Sequence, residues 1–149
     1  MADYQKTILV NSHPETLFDA LTTLSGLAAW WTHATGSGET GGELRFYFDP
    51  PEPCVMRVDQ ATRPTSVRWT VIECDFLPDC VGTWPTIPIA RVGGGGSELQ
   101  FHHYGLTAEL DCIDECTRGW DHFLASLRQY VEVGRGMPRG SSADLARRS

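Results

Sequence analysis

Asp111-Cys112-Ile113-Asp114-Glu115-Cys116-Thr117-Arg118-Gly119-Trp120-Asp121-His122-Phe123-Leu124-Ala125-Ser126-Leu127-Arg128-Gln129-Tyr130-Val131-Glu132-Val133-Gly134 is the stretch that decides the architecture. Cys116, Trp120, Phe123, Leu124, Leu127 and Val131 recur in it at i, i+4, i+7, i+8, i+11 and i+15. That spacing predicts one apolar stripe on a helix of about 20 residues, roughly 30 Å long. Asp111, Asp114 and Glu115 crowd its start, where the helix dipole favours negative charge. Gly134 ends it, and Gly136, Pro138 and Gly140 forbid continuation. A helix with a single apolar stripe needs an apolar face to lie on.

The residues upstream supply that face in period two. Leu44, Phe46 and Phe48 alternate with Arg45, Tyr47 and Asp49, ending at Pro50-Pro51. A strand near 54–60 puts Cys54, Met56 and Val58 on one side, and Val67, Trp69 and Val71 alternate with Arg68, Thr70 and Ile72. Residues 84–92 carry Pro85 and Pro88 and read as an irregular or edge strand. After the turn at Gly93–Gly96, Leu99, Phe101 and His103 alternate with Glu98, Gln100 and His102. Residues 4–10 read as an opening strand, stopped before Pro14. Two short helices follow, carrying Leu17, Phe18, Leu21 and Leu24, with the break placed at Ser25-Gly26 and the second helix running to Trp31.

Strands in an uninterrupted run form an antiparallel meander. The expected fold is therefore α+β: a curved antiparallel sheet of about six strands, two short helices, and one long C-terminal helix packed across it. Residues 1–138 form the domain, and 139–149 a polar, mobile tail. One sheet face carries Phe46, Phe48, Met56, Trp69, Trp84 and Phe101, and the helix adds Trp120 and Phe123.

Composition agrees with a single folded domain. The 149 residues are 41% hydrophobic, too apolar for a disordered chain, and no run of about 18 apolar residues exists to span a membrane. The first residues lack the charged and apolar segments of a secretory signal, so a cytoplasmic location is expected. Residues 1–134 hold 8 basic and 18 acidic side chains, while the last 15 hold four Arg against one Asp. An acidic body repels phosphate backbones, which argues against nucleic-acid binding, and the basic end reads as solvated. The loop Thr35–Gly42 is rich in glycine, but a strand follows it, and the chain's one lysine is Lys6. It is not a phosphate cradle.

Five cysteines, 54, 74, 80, 112 and 116, read as free thiols. Cys112 and Cys116 share a helix face and offer half a zinc site, but no C-x-x-C or H-x-x-x-H pair completes it. They read as small buried hydrophobes, with no metal and no cofactor expected.

Particular strings resemble a known family. They are Ala29-Trp30-Trp31-Thr32, Gly41-Gly42-Glu43-Leu44-Arg45-Phe46, Val67-Arg68-Trp69-Thr70, Leu99-Gln100-Phe101-His102-His103-Tyr104-Gly105-Leu106 and Gly119–Leu127. In that order they resemble the SRPBCC superfamily, the helix-grip fold of START domains and the birch pollen allergen. Within it they resemble the branch of the activator of heat-shock-protein ATPase (AHSA-type), over about residues 4 to 138. The segment Asp75–Pro85 departs from the family's smoother strand and bears on the sheet edge and the cavity mouth.

The resemblance implies a pocket between sheet and long helix that takes a small apolar ligand. Its lining would be Trp30, Trp31, Phe46, Phe48, Met56, Trp69, Trp84, Phe101, His103, Trp120, Phe123 and Leu124. The alternative for any of these aromatics is a place in a filled core. His103 points inward by parity, either as a satisfied structural residue or as the acid/base of a cyclase- or hydratase-like enzyme. Tyr47 and Asp75 are the other candidate polar groups, but Tyr47 faces away, and no G-x-S-x-G or H-E-x-x-H motif occurs. A third reading, implied by the named branch, is a chaperone partner. Ligand identity and oligomeric state are not readable from the sequence.

Overall fold

A computed structural model describes residues 3–48 and 53–148. The elements run β1 (Tyr4–Val10), α1 (Pro14–Thr22), α2 (Leu24–Trp30), β2 (His33–Gly36), β3 (Glu43–Tyr47), β4 (Cys54–Thr62), β5 (Ser66–Cys74), β6 (Trp84–Val92), β7 (Gly96–Tyr104), α3 (Ile113–Val133) and α4 (Ser142–Arg148). All strands join one antiparallel sheet in the order β1-β7-β6-β5-β4-β3-β2. α3 lays Trp120, Phe123, Leu124 and Leu127 onto the sheet as buried residues, and it ends at Gly134, whose φ of 86° is left-handed. The expected helix-grip architecture is the one observed.

Four details differ from the sequence reading. The sheet has seven strands rather than six, because residues 33–36 pair with β3 instead of opening the glycine loop. Gly36 makes that possible: its φ is +105°, and a Cβ there would stand 2.0 Å from the Glu43 carbonyl oxygen. The break between the short helices falls at Thr23, whose Oγ1 accepts the Gly26 N–H at 3.1 Å and caps α2. β6 is an interior strand, not an edge. Pro88 falls where pairing with β7 stops at Thr86↔His102 and resumes at Ile89↔Leu99, and it stands at the end of the short β5 register, opposite Ser66; Pro85 lies near the start of the strand, opposite His103. Finally, the segment expected as a mobile tail contains α4. The expected strand end at Pro50-Pro51 lies outside the described residues.

Residues 75–83 leave β5, make a single 3-10 turn at Pro78–Cys80, and return into β6. The strap is fastened at its return and at its middle: Gly82 N donates to Val71 O at 2.8 Å, and Asp79 Oδ2 accepts from Asp111 N at 2.8 Å. The departure noted in the sequence therefore reaches across to the start of α3.

Candidate functional site

Between the sheet, the strap and α3 lies a cavity of about 690 Å³. Of the twelve expected lining residues, Trp31, Phe48, Met56, His103, Trp120 and Phe123 line it. Trp30, Phe46, Trp69, Phe101 and Leu124 do not; they are at most 2% exposed and form the solid core beneath. Trp84 does not line it either. It pairs with Tyr104 on the opposite face of the sheet, where the two rings stack at 5.6 Å and the Arg68 guanidinium lies 5.9 Å from the indole. In β6 the inward parity belongs to Pro85, Ile87 and Ile89, all buried, so the even-numbered Trp84 faces out.

Core and cavity meet at Trp31. Its ring lies 4.3 Å from Phe46 and 5.9 Å from Trp69 below, and 5.0 Å from Trp120 and 5.9 Å from Phe48 beside the cavity. Its carbonyl accepts the Arg139 N–H at 2.7 Å, which brings the C-terminal segment back to the mouth. Arg118, Arg139, Arg147 and Arg148 all line that mouth. Arg147 lies 5.1 Å over the Phe123 ring, and Arg147 and Arg148 pair with the fully buried Asp144 at 2.9 and 3.2 Å. The sequence reading gives Arg139, Arg147 and Arg148 as a solvated end and does not single out Arg118. The usable signal was the sign reversal of charge between the body and the last fifteen residues.

His103 is 3% exposed at the inner end of β7, and both ring nitrogens are engaged. Trp120 Nε1 donates to Nδ1 at 3.0 Å, and Nε2 lies 2.7 Å from Thr83 Oγ1. The Thr83 hydroxyl donates its own proton to the Cys80 carbonyl at 2.6 Å, so it accepts from His103. The indole can only donate, so the imidazole is neutral with its proton on Nε2. Burial lowers its pKa to about 4 from the usual 6.5; nearby Asp3 opposes the shift and His102 adds to it. At neutral pH this histidine holds Trp120 and the strap together and presents neither nitrogen to the cavity. Tyr47 is on the far side, beside His33 and Thr35.

The strap also brings together what the chain keeps apart. Cys80 Sγ lies 3.0 Å from Cys112 Sγ and 3.5 Å from Cys116 Sγ. Cys54, Cys74, Cys80 and Cys116 all line the cavity. Burial pushes the Cys112 thiol up to about 12, and contact with Cys116 together with burial raises Cys80. Cys112 and Cys80 are buried, as the sequence reading expected of Cys112, but the third thiol comes from a segment 32 residues upstream of Cys112 and no spacing rule reveals it.

Comparisons with known proteins agree with this fold. Residues 11–132 match the family described as activator of Hsp90 ATPase homolog 1-like protein. The Aha1 dimer from Colwellia psychrerythraea is similar in structure with a TM-score of 0.79 and 26% identity, covering 91% of this chain and 100% of that one. An HSP90 activator from Plasmodium falciparum is similar at a TM-score of 0.70 and 19% identity over 91% of this chain and 98% of its own. CalU16 from Micromonospora echinospora is similar at 0.72 and 13% over 95% and 78%. The last two likenesses concern fold alone. No curated protein is a significant sequence match. Among the described residues no helix is long and apolar enough to cross a membrane.

Proposed function

The chain belongs to the activator of Hsp90 ATPase homolog 1-like family, and from that premise we propose that it binds one small, mainly apolar molecule with an anionic or strongly polar end. A single observation carries this reading: a cavity of about 690 Å³ with an aromatic inner wall and four arginines at its mouth. That volume is within the roughly 300–1,000 Å³ of small-molecule sites, which are mostly apolar with a few placed polar groups. Trp31, Phe48, Met56, Trp120 and Phe123 receive the apolar body, and the guanidinium groups receive the charged end. His103 supports the wall by fixing Trp120; an acid/base role for it would first require breaking its bonds to Trp120 and Thr83.

Two measurements test the reading. Native mass spectrometry of the freshly purified chain should reveal a co-purified small molecule. The anionic naphthalene dye ANS should bind stoichiometrically, quench Trp31 and Trp120, and lose affinity on Arg147→Ala while a neutral apolar dye does not. A chain that carries no molecule and takes up neither dye would end the proposal.

A second reading, a partner of the Hsp90 chaperone, is supported by the family match and by the 26% identity to the Aha1 protein. Its test is whether the chain raises the ATPase rate of purified Hsp90. A rise that persists with the cavity blocked by dye would place that activity on the outer surface.

A further inference from the structure

We propose that Cys80, Cys112 and Cys116 form a zinc site of three thiolates, with its remaining position open to the cavity. The three sulfurs lie within 4.8 Å of one another. Two thiolates bound to one zinc ion at about 2.3 Å with a tetrahedral angle stand about 3.8 Å apart. The observed separations of 3.0 and 3.5 Å therefore need adjustments of under about 1 Å, within reach of side-chain rotation.

The backbone that carries each sulfur is already fixed. Cys112 stands at the N-cap position of α3, its thiol free of any capping bond, and Cys116 stands one turn later, its N–H donating to the Cys112 carbonyl at 2.9 Å. Their C-x-x-x-C spacing falls within the two-to-four-residue gap of zinc ligands. Cys80 is held by its carbonyl, which accepts from Thr83 Oγ1, and by the neighbouring Asp79, whose carboxylate takes the Asp111 N–H. The site thus spans the strap and the long helix with no free hinge between them.

Chemistry favours the same ion. Thiolate sulfur selects soft and borderline metals over magnesium or calcium. Cys112 stands at the N-terminus of α3, whose dipole offsets part of the burial that raises its thiol. Cys80 and Cys116 face the cavity beside Glu115, which gives the ion a route in and leaves a position for water or a carboxylate oxygen. On binding, three S–H bonds are replaced by three Zn–S bonds, three protons pass to solvent, and no oxidant or reductant is needed.

The test uses the full chain, reduced and stripped with a chelator. Zinc titrated against a chromophoric chelator should bind at one ion per chain. Cobalt in its place should give the thiolate-to-cobalt charge-transfer absorption of a three-sulfur site. Cys116→Ser, the least buried of the three, should weaken zinc by more than the tenfold to hundredfold that loss of an outer-sphere partner costs. The wild-type cobalt spectrum decides the matter even if a variant fails to fold. Absence of that absorption, zinc affinity unchanged by Cys116→Ser, or a peptide map of unreduced protein with Cys80 linked to Cys112 would each overturn the proposal.

Discussion

Trp120 donates its indole N–H to Nδ1 of His103 across 3.0 Å, tying the first half of α3 to the inner end of β7. One bond thereby sets the tautomer of the imidazole, the orientation of the indole that walls the cavity, and through Thr83 the position of the strap.

The first prediction concerns acid. His103 titrates near 4 in the folded chain against 6.5 when unfolded, so between those values the unfolded chain holds the extra proton. Its contribution to stability is intact above 6.5 and is lost as pH falls toward 4, to about 3 kcal/mol in all. Urea midpoints measured from pH 7.5 to 4.5 should show this fall, and His103→Gln should flatten it. Equal slopes in both proteins would refute the assignment.

Trp69 and Phe76 separate core from mouth. Trp69 is fully buried, and Trp69→Ala should cost about 3–5 kcal/mol. Its indole N–H has no partner among the described residues, so Trp69→Phe should cost far less. Phe76, 44% exposed on the strap, should change stability by about 0.5 kcal/mol or less as Phe76→Ala while altering dye binding. Chemical denaturation with parallel dye titration checks all three.

Ser126 is completely buried on α3, where its hydroxyl donates to Trp30 O and accepts from Met137 N, both at 2.6 Å. Ser126→Ala leaves both groups without this partner and should cost about 1–3 kcal/mol. A melting temperature equal to wild type would show that solvent replaces the hydroxyl.

Asp144 should govern the C-terminal segment alone. Its carboxylate accepts from Gly140 N at 2.9 Å and pairs with Arg147 and Arg148. Asp144→Ala should speed tryptic cleavage at Arg139 several-fold and loosen the cavity mouth. The urea midpoint should stay nearly fixed, and a matching drop in that midpoint would mean α4 is part of the core.

These contrasts show what the sequence makes legible. The stripe from Cys116 to Val131 and the alternation at Val67, Trp69 and Val71 are local patterns, and both survive in the structure. The division of aromatics between core and cavity is not local. Trp69 lies in β5 and Phe48 directly after β3, both rings 5.9 Å from Trp31, and what separates them is the strap and α3 arriving from elsewhere. The same holds for the arginine mouth, because Arg147 reaches it from a C-terminal segment bonded to Trp31 through Arg139 N. Trp84 is different: it could have been placed outward from Ile87 and Ile89, whose shared parity is plain in the sequence.

The strand order has a consequence for synthesis. Every neighbouring pair from β2 to β7 is consecutive in the chain, so each hairpin can close as it leaves the ribosome. β1 is the exception: made first, it pairs only with β7, Tyr4 opposite His103 and Val10 opposite Ser97. The earliest strand must wait for the last of the described strands, leaving the outer edge of β7 uncovered in any nascent chain whose amino terminus is delayed or trimmed.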